Sequence, residues 1–237
     1  MDGFLLIDKE RGMTSFDVIR VLKRKFGIKK LKIGHAGTLD PIATGLMIVA
    51  IGKATKLLGR FLGADKVYIG SAKFGAVSDT YDADGKITEM PGVEPVTLDM
   101  IKKVVQENFV GKISQMPPKF SAKKVDGQRA YDLARKGEEF TLKPKEIEVY
   151  DFKILSFDGM PPVGAGVVEF SVSCSSGTYI RSLVHDLGQA LGVGAYMDSL
   201  RRIKIGNAKI EDAVRISEFE VESNGLIGLE SSSLWNS

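Results

Sequence analysis

The steadiest alternation of apolar and polar positions runs over Val167–Cys174. Val168, Phe170, Val172 and Cys174 fall on one side, and Glu169, Ser171 and Ser173 on the other. That alternation predicts a half-buried strand. After Ser175–Thr178 the period lengthens: Ile180, Leu183, Val184, Leu187 and Leu191 recur at helical spacing, with Gly192 as the expected stop. Gly3–Ile7 reads as a short strand. Thr14 and Ser15 then offer an N-cap to a helix carrying Phe16, Ile19, Leu22 and Phe26. Leu46–Ile51 is an unbroken apolar run, expected to be a buried strand. Lys66–Phe74 predicts another strand, with Tyr68, Gly70, Ala72 and Phe74 on one face. Thr97 is the expected cap of a helix bearing Met100, Ile101, Val104 and Val105.

Strands and helices mix without strict βαβ alternation, so an α+β fold with a mixed sheet is expected rather than a doubly wound parallel one. The chain's 237 residues, 43% of them hydrophobic, suffice for a large core in one domain or two packed halves. Loops are expected at Met90–Pro95 and Gly159–Gly166, and neither separates independent domains. The single cysteine, Cys174, excludes an intrachain disulfide framework, and two histidines disfavour zinc. This fits a reducing cytoplasm. The apolar run near the N-terminus is too short for a signal peptide, and no apolar stretch reaches membrane-spanning length. Charge is unevenly placed. Residues 211–237 hold six acidic residues against Arg215, a net of −5, which leaves +8 on residues 1–210. A basic body with an acidic tail suits a polyanionic partner, although solvated surface lysines give the same count.

The candidate chemistry lies in Gly34-His35-Ala36-Gly37-Thr38-Leu39-Asp40-Pro41, closed by Thr44-Gly45. Its glycines permit tight turns and close approach of a ligand. Pro41 steers Asp40 away from helical backbone. A polar loop between a helix and a buried strand is a usual place for a working carboxylate. The residues alone leave equal room for an Asx-turn aspartate bonded to its own backbone. The glycine spacing matches neither G-x-G-x-x-G nor a phosphate-binding Gly-Lys-Ser/Thr loop, so no nucleotide cofactor is expected.

Gly34–Gly45 with the following LMIVAIGKATKL closely resembles the signature of the TruB family of transfer-RNA pseudouridine synthases. Lys9–Ser15 resembles the family's N-terminal Lys-Pro-x-Gly-x-Thr-Ser, with Glu10 in place of the proline. Lys66-Val67-Tyr68, Asp79–Gly85, Met116–Ala122 and Ser176–Arg181 also match in family order, so the resemblance spans roughly residues 3–215. It implies a pseudouridine synthase fold, a mixed and mainly antiparallel central sheet flanked by helices, with the active-site cleft across it. It implies isomerisation of uridine 55 in the TΨC loop: the base is detached, turned and reattached through carbon, without cofactor or metal.

By the same resemblance Asp40 is the nucleophile. Arg181 near a helix start opposes the macrodipole and calls for a carboxylate, and the resemblance names Asp40 as that partner. Such a pair keeps the carboxylate ionised, as an attacking group requires. Tyr68, a core aromatic by its strand position alone, is expected to stack on the base and to serve as acid or base. Tyr179 and Leu200 are expected walls of the uridine pocket, and His35 is expected to contact the RNA loop. Asp82 is expected to organise the active-site loop or meet the RNA. The acidic loop lacks the terminal acidic ligands of a calcium loop. The uridine must be flipped out of its stack. Phosphate contacts that offset this cost are expected from Lys23, Arg24, Lys25, Lys29, Lys30 and Lys32, from Lys119, Lys123, Lys124 and Arg129, and from Arg201, Arg202 and Lys204. Residues 1–215 are expected to form the catalytic domain and 216–237 a short acidic tail, too short for the C-terminal RNA-binding PUA domain of many members. The expected protein is a cytoplasmic monomer that binds the T stem-loop. The rival is a non-catalytic RNA-binding or RNA-folding protein on the same scaffold, which would have no use for an activated carboxylate.

Overall fold

The computed structural model describes residues 1–28, 30–121, 123–125, 127–159, 166–223 and 225–228, with the backbone alone at 124 and 129. The chain begins with β1 (Gly3–Lys9), α1 (Ser15–Phe26), β2 (Ile33–His35), β3 (Thr44–Ile51), a 3₁₀ turn (Gly52–Leu57), α2 (Leu58–Gly63) and β4 (Lys66–Phe74). There follow β5 (Ala76–Ser78), β6 (Ile87–Glu89), α3 (Leu98–Asn108), β7 (Gly111–Gln115), β8 (Lys124–Val125), β9 (Gln128–Arg129) and α4 (Ala130–Arg135). The remainder holds β10 (Lys145–Gly159), β11 (Gly166–Cys174), α5 (Ile180–Ala190), β12 (Ala195–Ile205), β13 (Ala208–Lys209), a second 3₁₀ turn (Ile210–Asp212) and β14 (Val214–Arg215). The fold is α+β with a mixed sheet, as expected. These elements form two compact units, residues 1–69 with 200–237, and residues 70–199.

In the first unit the strands run β14, β1, β3, β12. β1 lies antiparallel to β3 with Leu6 opposite Ile48 and Phe4 opposite Ala50, while β12 joins β3 in parallel. Phe4, Leu6, Leu46, Ile48 and Ala50 form a core face with Phe61 and Ile205, and the Phe61 ring meets Phe4 edge-on at 5.2 Å. The alternate residues Leu5, Ile7, Met47, Val49 and Ile51 are buried too. Burial on both faces is why β3 reads as a continuous apolar run. A capping box starts α1: Asp17 N–H donates to the Thr14 hydroxyl and Thr14 N–H to the Asp17 carboxylate. Gly27 in the left-handed conformation ends it. The buried stripe is Val18, Ile19 and Leu22. Phe16, expected in that stripe, is 62% exposed, with the Arg20 guanidinium 5.3 Å from its ring centroid. At 100° per residue, Phe16 lies about a third of a turn from the centre of the buried arc.

In the second unit the strands run β4, β11, β10, β7. β10 is antiparallel to both of its neighbours. The expected faces of β4 and β11 are the buried ones. Phe152 packs edge-on against Phe109 and Phe170, and α3 lies on β10 and α5 with its Ile101 and Val105 buried. Thr97 caps α3 as expected, its hydroxyl accepting from Met100 N–H. α5 spans Ile180–Ala190 close to its expected ends, and Gly192 turns the chain at φ +74°.

Candidate active site

The loop Gly34–Gly45 belongs to the first unit, where other segments pin its backbone at several points. Ala36 N–H donates to the Ile48 carbonyl at 2.9 Å. Gly37, at φ +87°, offers its carbonyl to Arg202 Nη2 at 3.0 Å, and Arg202 Nε donates to Leu46 O at 2.8 Å. Both neighbours of Asp40 are clamped by the end of β1, the start of α1 and the segment that joins them. The buried Ser15 hydroxyl accepts from Leu39 N–H at 2.9 Å and donates to Leu39 O at 3.2 Å. The Pro41 carbonyl accepts from Gly12 N–H at 2.8 Å and from Lys9 Nζ at 3.4 Å. Asp40, half-buried between them, therefore sits on a backbone set by a neighbouring helix start.

Lys9 is fully buried, and its ammonium also donates to Met13 O and Glu10 O. Burial pulls it down to about 8; the charge of Asp40 resists, the Arg202 guanidinium assists, and Asp17 resists. His35, at the end of β2, is held below the usual histidine range by burial and then by the Arg202 charge, so its imidazole is neutral at neutral pH. Tyr68 is buried on β4. Leu200 is buried on β12 and meets the loop through its carbonyl, which accepts the Thr44 hydroxyl at 3.4 Å.

The second unit holds Asp82, Tyr179 and Arg181. Arg181 is buried in the first turn of α5. Its Nη1 donates to Thr80 O at 3.0 Å and its Nη2 to Phe120 O at 3.0 Å, and Nη1 lies 3.4 Å from Asp82 Oδ2. Asp82, itself buried, is a carboxylate beside this helix start, and its Oδ1 accepts from the Thr80 hydroxyl and Asp84 N–H. Tyr179 is the N-cap residue of α5 and offers no side-chain cap. Its backbone is held instead by Gln115, whose Oε1 accepts Tyr179 N–H at 2.8 Å and whose Nε2 donates to Tyr179 O at 3.0 Å.

Each expected site residue thus has its place, and Arg181 and Asp82 stand together. Lys9, Ser15, Gln115 and Arg202 were not singled out for these contacts. The signal available for Lys9 and Ser15 was their position in the Lys9–Ser15 motif. Arg202, expected at phosphate, is 1% exposed and donates to the Leu46 and Gly37 carbonyls instead, and Arg201 makes a two-point pair with Asp8. Lys29, Ala122 and the side chains of Lys124 and Arg129 lie outside the described residues, as do most of the Gly159–Gly166 loop and the tail end with Glu230. Among the described residues no group of His, Cys, Asp and Glu could hold a metal ion, and no helix is long and apolar enough to cross a membrane.

Residues 23–180 match the model of the TruB family pseudouridylate synthase N-terminal domain, and residues 181–224 that of the tRNA pseudouridylate synthase B C-terminal domain. The chain belongs to the TruB family. A tRNA pseudouridine synthase B of Aquifex aeolicus is 49% identical over 224 residues, covering 94% of this chain and 75% of that one. Its counterpart in Endomicrobium trichonymphae is 44% identical over 218 residues, covering 92% and 91%. Among solved structures, a chain in an H/ACA RNP bound to a substrate RNA containing 2'-deoxyuridine is similar with a TM-score of 0.66 and 29% identity. That likeness covers 91% of this chain and 51% of the other. The fold is therefore that of a pseudouridine synthase, as the motifs implied.

Proposed function

We propose that this TruB-family protein converts uridine 55 in the T stem-loop of transfer RNA to pseudouridine, as a cytoplasmic monomer. Relatives named tRNA pseudouridine synthase B, of which this chain covers 75% and 91%, support the reaction class. The observation that carries the reading is the clamp on Leu39 and Pro41, which fixes the backbone of Asp40 on either side while Asp40 itself keeps some exposure. Preorganisation of this kind is what a nucleophile needs, because geometry fixed beforehand lowers the entropic part of the barrier.

In this reading Asp40 adds to the flipped nucleotide and is expelled again at the end; in between, the bond from ribose to the base nitrogen breaks, a bond from ribose to a ring carbon forms, the hydrogen on that carbon leaves as a proton, and the freed ring nitrogen takes one up. No atom is gained or lost. Tyr68 stacks on the extracted base and serves in proton transfer, and Tyr179 and Leu200 wall the pocket. Arg181 supplies the positive charge that keeps the nucleophile ionised, and Asp82 holds that guanidinium. His35, neutral, contacts the RNA loop.

Incubating the purified chain with unmodified transfer RNA, without added metal, and mapping pseudouridine tests this. Wild type is expected to modify position 55. Asp40→Asn, which keeps shape and removes charge, is expected to form no product while binding RNA within about twofold of wild type. A fully active Asp40→Asn would remove Asp40 as nucleophile. Binding by wild type without conversion would favour the non-catalytic RNA-binding protein.

A further inference from the structure

Tyr81 is the one non-glycine residue at positive φ among the described residues, at +65°. Tyrosine rarely adopts that conformation, which glycine and asparagine enter at little cost. A strained residue of this kind persists only when its surroundings hold it. Here the ring lies flat on His185, with centroids 3.8 Å apart and planes at 9°. Neither glycine nor asparagine could supply that contact.

The stack joins two segments that already meet at a working pair. Asp82 follows Tyr81 directly, and His185 follows Arg181 by one helical turn on α5, so both members of each contact are neighbours on their own element. The Asp82–Arg181 ion pair and the Tyr81–His185 stack are thus two adjacent rungs between the acidic loop and α5. The loop is anchored on its other side as well. Tyr81 O accepts Met197 N–H at 3.0 Å, and Ala83 N–H donates to Met197 O at 2.9 Å, on either side of Asp82. His185 Nδ1 is buried without a hydrogen-bond partner among the described residues, so the face of the ring, rather than a bond through that nitrogen, locates it. Burial, with the charge of Asp186, pushes the Tyr81 hydroxyl up, and burial pushes His185 down, so both rings are uncharged at neutral pH.

We propose that the Tyr81–His185 stack is a positioning device that holds Asp82 in register with Arg181, Tyr81 and His185 acting through that pair. The proposal deepens, and rests on, the reading of Arg181 and Asp82 as working residues.

The test compares wild type with Tyr81→Asn, Tyr81→Phe, His185→Ala and the Tyr81→Asn/His185→Ala double variant in pseudouridine formation on unmodified transfer RNA. Asparagine removes the ring without adding backbone strain. Phenylalanine keeps the ring and the strain. Alanine suits the helix interior, so His185→Ala deletes the stack even should the loop variant fail to fold. Tyr81→Asn and His185→Ala are each expected to lower kcat about tenfold or more at unchanged KM, and Tyr81→Phe to restore it. The double variant is expected to lose no more than either single one, because either change already abolishes the stack. Unchanged turnover in the ring-deleted variants, or KM rising in step with the loss, overturns the proposal. Nitrogen-15 spectra of the Arg181 guanidinium give a readout apart from activity. The signal should be sharp in wild type and Tyr81→Phe and broadened in the ring-deleted variants; identical signals in all of them also overturn the proposal. If wild type forms no pseudouridine, the reading of the reaction fails, and these spectra still decide the brace.

Discussion

Lys9 shows what a buried charge does beside the candidate catalytic loop. Three carbonyls accept from its ammonium, one of them that of Pro41, and burial lowers it to about 8 from an ordinary 10.5. In the unfolded chain the same group keeps its proton to near 10.5. Between about pH 8 and 10.5 the unfolded state therefore binds more protons than the folded one, and stability rises with pH across that window. Lys9→Met lacks this dependence. Urea unfolding of both proteins at pH 7.5, 8.5 and 9.5 is expected to show wild type gaining on the variant as pH rises. A constant difference would mean that Lys9 gives up its proton as reluctantly when folded as when unfolded. At this scale the motifs brought Asp40, Tyr68 and Arg181 forward, because those residues sit in dense, ordered matches. The roles of Ser15, Gln115 and Arg202 were not legible. A serine, glutamine or arginine reads as surface by type, and only the fold shows that the donors of each are turned inward on backbone carbonyls.

The elements that were legible are those with one clean period. β4 and β11 bury every second residue, and α5 buries a continuous stripe. β10 breaks its own alternation with register shifts between Val149 and Asp151 and between Ile154 and Ser156, and β12 mixes Asp198, Arg201, Arg202 and Lys204 among its apolar residues. Neither reads as a strand by pattern. The join of β12 to β3 also explains one glycine. Gly45 lies opposite Arg202 at φ +104°, and a Cβ there would stand 2.3 Å from the Arg202 carbonyl oxygen. Backbone cannot yield cheaply, least of all where the Arg202 side chain is itself anchored to Leu46 and Gly37. Gly12, also at positive φ, has open space around a Cβ. Gly12→Ala should therefore cost only the conformational term of about 1–2 kcal/mol. Gly45→Ala adds overpacking of about 1–3 kcal/mol to that term. Denaturant unfolding of the two variants side by side measures the difference, and equal losses would deny the close approach of β12 to β3.

For the whole molecule, the distribution of cations matters more than the net charge of +3. Lys9, Lys66, Arg181 and Arg202 are buried and bonded to backbone carbonyls, and Arg201 is paired with Asp8. Lys9, Lys66, Arg201 and Arg202 are thereby committed to the fold. Lys23, Arg24, Lys30, Lys32, Lys119 and Lys204 are exposed and remain candidates for phosphate. The division into two units had no signal in the sequence, because the chain passes between them inside β4 and β12, without a linker. If exposed lysines and arginines carry the affinity for transfer RNA, each phosphate contact releases condensed counterions, and log affinity falls linearly with log salt. For six or so contacts the loss between 50 and 200 mM salt is about a thousandfold. The expected result for wild type, by filter binding or fluorescence anisotropy, is a steep linear plot. Lys23→Ala should reduce the slope by about one contact without changing turnover at saturating RNA. A flat plot for wild type would mean that RNA is held by uncharged contacts, and an unchanged slope in Lys23→Ala would take the α1 surface out of the binding face.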